Sequence, residues 1–129
     1  MQFSIEQVPW MPSPPLVPMP MPLDLSYLRS MTLGDIRLER EVLEMFKAQT
    51  RDLLAQLAPR PENAAELAHT LKGSARAIGA FEVGEAAYAL ESGLREHSGF
   101  AAAFKQLRGS VDEAFAAIDA HLAGGNLSR

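Results

Sequence analysis

Apolar residues recur at steps of three and four through most of the chain, and this spacing constrains the fold more than any other feature. Such steps place side chains on one face of an α-helix. The clearest run consists of Phe100, Phe104, Leu107, Val111, Phe115, Ile118 and Leu122. We predict that Gly124 and Gly125 end this helix. No competing strand pattern of strictly alternating apolar and polar residues is found.

Three further segments carry the helical pattern and are separated by proline or glycine. The first runs from Ile36, after an N-cap expected at Asp35, to the break at 59–61. The second runs from Pro61 to Gly79, and the third from Phe81 to about His97. A shorter helix is expected at 25–29, capped by Asp24. These patterns predict an all-α protein, in which residues 24–123 form an antiparallel four-helix bundle with a short extra N-terminal helix.

The two ends of the chain differ from this central region. Seven of the nine prolines lie in residues 1–23, a segment that is also rich in methionine. Because proline removes a backbone donor and clashes within a helix, we predict a flexible or polyproline-like N-terminal tail. Residues 124–129 are predicted to be a short C-terminal tail.

Length and composition exclude several functions. A chain of 129 residues suits one domain, and it contains neither of the glycine-rich phosphate loops, Gly-x-x-x-x-Gly-Lys or Gly-x-Gly-x-x-Gly. Any ATP chemistry would therefore belong to a partner. The net charge of −4 and the lack of a basic tract argue against nucleic-acid binding. No apolar run is long enough to span a membrane. The absence of cysteine is compatible with the cytoplasm, the location that we predict.

The most informative segment for function contains His69. In a helix, Leu67, Leu71 and Ile78 share one apolar stripe, which places His69 on the opposite, solvent-facing side. Lys72 and Gly73 follow at i+3 and i+4, and Arg76 at i+7, so two cations and a bare backbone position surround the imidazole. This arrangement favours the approach of a phosphate group to His69. The glycine costs about 1 kcal/mol within a helix relative to alanine, which suggests a functional reason for its presence.

The pattern His69-x-Leu-Lys-Gly-Ser-x-x-x-Ile-Gly-Ala closely resembles the signature of histidine-containing phosphotransfer domains of bacterial phosphorelays. The resemblance extends over residues 66–91. It implies a four-helix bundle whose exposed His69 carries a phosphoryl group between aspartates of receiver domains. The implied partners are response-regulator receiver domains and a hybrid histidine kinase. Such a protein is a relay intermediate rather than an autonomous enzyme, and it needs no cofactor, since Mg²⁺ would belong to the receiver.

We assign the neighbouring residues to distinct roles. Lys72 would attract the incoming acyl phosphate and neutralise its oxygens. Gly73 would leave room for a receiver, and Arg76 would either contact phosphate or receiver or simply solubilise the helix. Glu91, on the flank of the next helix, would orient the His69 ring by a hydrogen bond. No metal site is predicted, because the three histidines are widely separated in the sequence.

Two other functions are compatible with the same residues. The chain could be a binding module that regulates receivers or a kinase without transferring phosphate, although intact His69, Lys72 and Gly73 argue against this. It could also be a detached phosphoacceptor domain resembling that of chemotaxis-type kinases, which would take phosphate directly from an ATP-bound catalytic domain. Incubation with a phosphorylated receiver or with a kinase alone distinguishes these alternatives.

Overall fold

The computed structural model describes residues 21–127, which form five α-helices and contain no strand. The helices are α1 Leu25–Met31, α2 Ile36–Leu57, α3 Ala64–Ile78, α4 Phe81–Arg95 and α5 Phe100–Leu127. Most of the predicted N-terminal tail, residues 1–20, lies outside the described residues. In the described part of the chain, no helix is both long and apolar enough to cross a membrane.

The ends of the first three helices follow from local chemistry. The Asp24 and Asp35 side chains accept hydrogen bonds from the backbone N–H groups of Tyr27 (3.0 Å) and Leu38 (3.1 Å), and so cap α1 and α2 as the sequence predicts. Gly79 ends α3 with φ of 91°, a left-handed conformation that glycine adopts without a steric penalty from Cβ.

The structure corrects three boundaries. Gly124 and Gly125 do not end α5, which continues to Leu127, because glycine lowers helix stability by only about 1 kcal/mol and need not leave the helix. Pro61 precedes α3 rather than opening it, since its carbonyl accepts a turn hydrogen bond from Ala64 N–H. Leu23, assigned to the tail from the sequence, is buried in the core.

The four long helices form a closed ring of contacts, in which α2 packs on α3, α3 on α4, α4 on α5, and α5 on α2. The largest buried side chains come from all five helices: Leu28, Leu43, Leu57, Leu71, Leu90, Leu107, Ile118, Val83 and Val111. Burial of each such side chain contributes about 1.5–3 kcal/mol. The ring leaves one face of every helix toward solvent, and α3 presents His69 on that face.

Small residues allow α3 and α4 to approach closely. Ala68 and Ala75 on α3, and Gly84 and Ala87 on α4, are all buried. A Cβ atom on Gly84 would lie only 3.0 Å from Arg76 Cγ and 3.7 Å from the backbone oxygen of Lys72. The close approach brings the side chains at the edges of both helices into contact.

An ionic cluster around the buried Glu39 joins α1, α2 and α5. Glu39 is buried, and its carboxylate lies 3.0 Å from His121 Nε2 and 3.3 Å from Arg29 Nε. Although burial raises the pKa of Glu39, hydrogen bonds from His121 and Arg29 outweigh it and lower the pKa below its ordinary value. This cluster holds the C-terminal part of α5 against the beginning of α2.

Candidate functional site

His69 projects from the solvent-facing side of α3, and 62% of its side-chain surface is exposed. Its neighbours Ala68 and Leu71 are completely buried, so the helix is held in place by its opposite face. The periodicity in the sequence predicts this orientation. His69 is therefore accessible to another protein without any change in the core.

Glu91 lies on α4 beside His69 and is only 5% exposed. Its Oε2 atom is 3.0 Å from His69 Nδ1, a hydrogen-bond distance. The contact that the sequence analysis expects between these two side chains is thus present. One edge of the imidazole ring is held by a nearly buried group, whereas the rest of the ring is open to solvent.

Two cations surround the Glu91 carboxylate. Lys72 Nζ lies 2.9 Å from Oε1, and Arg95 Nη2 lies 2.8 Å from Oε2. Burial raises the pKa of Glu91, but hydrogen bonds from Arg95, Lys72 and His69 more than compensate and lower the pKa to about 2. Glu91 is therefore ionised at neutral pH.

The charge on Glu91 determines the proton position on a neutral His69 ring. An ionised carboxylate can only accept hydrogen bonds, so His69 Nδ1 must carry the hydrogen in this contact. In the neutral imidazole the lone pair then resides on Nε2, at the opposite edge of the ring. The arrangement fixes the tautomer that is nucleophilic at Nε2.

Lys72 is less available than the sequence suggests. Its side chain is 15% exposed, and its ammonium group contacts Glu91 and lies 5.3 Å from the centroid of the Tyr88 ring. The lysine lies one turn beyond His69 on α3, but in this structure its charge is balanced by Glu91. Its most direct effect is to keep Glu91 ionised.

Gly73 and Arg76 differ in their relation to His69. A Cβ atom on Gly73 would have no neighbour within 4 Å among the described residues, so the helix surface beside His69 is open. Arg76 instead lies over Gly84, and its guanidinium is 3.9 Å from Glu85 on α4. The structure therefore groups His69, Lys72 and Glu91, and directs Arg76 to a different carboxylate.

Arg95 is a site residue that the sequence analysis missed. It lies four positions after Glu91 on α4, and residues at this spacing are neighbours on a helix surface. The Glu-x-x-x-Arg pattern was the available signal. It carries little weight until Glu91 is known to be buried, because exposed pairs at this spacing contribute only about 0.3–0.5 kcal/mol.

Residues 21–127 contain no cluster of three or more histidine, cysteine, aspartate or glutamate side chains placed to hold a metal ion.

Comparison with known proteins agrees with this geometry. A family model, the Hpt domain, matches residues 41–121, which is more than half of the chain and includes His69 and Glu91. The crystal structure of histidine phosphotransferase ShpA from Caulobacter crescentus is similar, with 29% sequence identity and a TM-score of 0.71. The match covers 84% of this chain and 97% of that one. No curated protein is significantly similar in sequence. The family match and the arrangement around His69 together establish that this chain belongs to the Hpt domain family.

Proposed function

We propose that this protein relays a phosphoryl group between receiver-domain aspartates, with His69 as the intermediate acceptor. The observation that carries the proposal is the hydrogen bond between exposed His69 and buried, ionised Glu91, because it leaves Nε2 as the nucleophilic nitrogen. Membership of the Hpt family supports phosphotransfer as the activity.

The transfer step follows from this tautomer. The Nε2 lone pair attacks phosphorus of an aspartyl phosphate, the N–P bond forms, and the P–O bond electrons return to the aspartate carboxylate. The hydrogen on Nδ1 stays in place, so the phosphorylated ring gains positive charge. Glu91, 3.0 Å away, stabilises that charge. Attack by a second receiver's aspartate on phosphorus reverses the bond changes and restores His69.

Lys72 and Arg95 contribute to this step in two ways. Both hold Glu91 in its ionised form. Lys72 lies one turn from His69 and keeps its charge while it is paired with Glu91, so it would also attract the phosphoryl oxygens, more strongly where a receiver excludes water from the interface. Lys72 thus acts on the ring through Glu91 and on the phosphoryl group through its own charge.

The surface around His69 suits docking of a receiver domain. Gly73 leaves the approach to the imidazole free of a side chain, and Arg76 provides a cation farther along α3 for contact with the receiver. We further infer that α2 to α5 form an antiparallel four-helix bundle, and the closed ring of helix contacts supports this. Mg²⁺ would be held by the receiver, and ATP would be used by a separate, hybrid histidine kinase. A cytoplasmic location stays a prediction.

Incubation with purified partners tests the proposal. The protein is mixed either with a receiver domain carrying ³²P on its aspartate, or with a kinase catalytic domain and labelled ATP but no receiver. We expect label to pass from the receiver to this protein and then to a second, unlabelled receiver. Binding without label transfer would support a regulatory module instead. Labelling by the catalytic domain but not by any receiver would support a kinase substrate domain.

A further inference from the structure

A groove between α2 and α5 is not used by the proposed phosphotransfer. It is an open surface groove with a volume of about 470 Å³, and its apolar lining includes Leu54 and Ala55 from α2 and Phe104 and Phe115 from α5. Leu54, Phe104 and Phe115 pack against the core but are only partly buried. Partly exposed aromatic and aliphatic side chains in one concave surface are typical of a site that binds an apolar side chain.

Two arginines line the same groove. Arg51 Cζ lies 5.2 Å from the centroid of the Phe115 ring, and Arg108 Cζ lies 6.0 Å from that of Phe104. Both arginines are exposed, and no carboxylate in residues 21–127 forms an ion pair with either of them. Asp112 also lines the groove, so the local balance is two cations to one anion, in a protein of net charge −4. The groove therefore has a small excess of positive charge, whereas the protein as a whole is acidic.

The groove lies far from His69 in the arrangement of the helices. His69 and Glu91 are at the junction of α3 and α4, and in the closed ring of contacts the α2–α5 junction is opposite to that one. A molecule in the groove would therefore leave the proposed receiver-docking surface free. Simultaneous binding at both surfaces is geometrically possible.

We propose that the α2–α5 groove is a second docking site, and that it binds an acidic amphipathic helix of a partner protein. Apolar side chains of that helix would fill the groove between Leu54, Phe104 and Phe115. Its carboxylates would pair with Arg51 and Arg108, whose planar guanidinium groups suit bidentate contact with carboxylates. This is the helix-in-groove mode of recognition with added charge complementarity.

The charge of the groove favours an acidic partner helix over other occupants of the groove. A basic helix would be repelled by the two arginines. Residues 1–20 of this chain contain one acidic side chain, Glu6, and thus offer a carboxylate to only one of the arginines. A second copy of the chain could occupy the groove only by aligning an acidic face with it. The protein would then self-associate as its concentration rises.

Two synthetic amphipathic peptides test the proposal, identical at their apolar positions and carrying glutamate or lysine at the polar ones. The ¹⁵N-labelled full chain is titrated with each peptide, and its amide NMR signals are followed. We expect only the acidic peptide to bind and to shift signals of the α2–α5 groove. Arg51→Glu with Arg108→Glu should weaken its affinity about tenfold or more, because attraction becomes repulsion.

A matched control has the same change of net charge. Arg37→Glu reverses one exposed cation about 21 Å from Arg51 along α2, and it is compared with Arg51→Glu alone. This variant should bind the acidic peptide as the wild type does. Equal weakening by Arg37→Glu and by Arg51→Glu would mean general charge attraction and would overturn the proposal. It would also be overturned by preferential binding of the lysine peptide, by shifts confined to α3 and α4, or by no binding.

Two further outcomes would assign the groove to another occupant. If the peptide binds only after deletion of residues 1–20, or only below the concentration at which the protein self-associates, the chain itself occupies the groove. Peptide binding requires no phosphate, so a negative result leaves the relay function intact. Conversely, if His69 proves not to accept phosphate, the binding result still stands.

Discussion

Replacement of Glu91 by glutamine removes the negative charge at the centre of the site while keeping nearly the same shape. In the wild type, the pKa of Glu91 falls from its ordinary value of 4.5 to about 2. By linkage, this difference corresponds to about 3 kcal/mol of folding stability at neutral pH. Glu91 is nearly buried, but its partners His69 and Arg95 are more than half exposed, so screening by solvent makes this value an upper bound.

The sign of the pH dependence follows from the lowered pKa. Above about pH 4.5 the carboxylate is ionised in both the folded and unfolded states, and its full contribution to stability is present. As the pH falls toward 2, the unfolded state takes up a proton first, and the contribution is lost. The stability difference between wild type and Glu91→Gln should therefore shrink by up to about 3 kcal/mol between about pH 6 and pH 2.

Urea denaturation followed by circular dichroism, at several pH values in this range, measures the difference. Glu39 also has a lowered pKa, but it is present in both proteins and cancels in the comparison. Glu85→Gln is a matched control, because Glu85 lies on the same helix with 75% of its side chain exposed. The free energy of unfolding of Glu85→Gln should equal that of the wild type at every pH. If the difference in free energy of unfolding between wild type and Glu91→Gln were the same at every pH, the reasoning would be refuted.

Substitutions at three other positions separate function from stability. Lys72→Ala should slow phosphoryl transfer in single-turnover assays by about 5- to 150-fold, through lost charge stabilisation of about 1–3 kcal/mol, and an unchanged rate would leave Lys72 a structural residue. Gly73→Ala should raise the free energy of unfolding by up to about 1 kcal/mol. Gly73→Gln should stay folded but block receiver binding. If Gly73→Gln transferred phosphate at the wild-type rate, the steric role of Gly73 would be disproved. Gly79→Ala should lower the free energy of unfolding by about 1–2 kcal/mol, since φ is +91° and a Cβ would lie 2.9 Å from the Asp24 carbonyl; unchanged stability would contradict this.

The elements of the fold are largely predictable from the sequence, because helical periodicity and capping residues are local signals. They predict the helices, the caps at Asp24 and Asp35, and the end of α3 at Gly79. The same periodicity predicts that His69 faces solvent. The end of α5 is predicted wrongly, since a glycine pair permits a helix to end but does not require it.

The ion pairs of the site are harder to predict, because they depend on how α3 and α4 are rotated and how closely they approach. The contact between His69 and Glu91 is expected from the position of Glu91 beside the apolar stripe of α4. The sequence does not show that Lys72 meets Glu91, or that Arg76 reaches Glu85. Long side chains have many conformers, and the nearest carboxylate is known only once both helices are in place.

The central claim is that His69 accepts the phosphoryl group, and the chemical stability of the label tests this most directly. Wild-type protein is labelled by a ³²P-receiver, and its label is then exposed to acid or base. We predict an acid-labile, base-stable label in the wild type and in His97→Gln, a control with another exposed histidine, and none in His69→Gln. His69→Gln should keep the wild-type circular dichroism spectrum, because the side chain lies outside the core. Retained labelling in a folded His69→Gln protein would contradict the account.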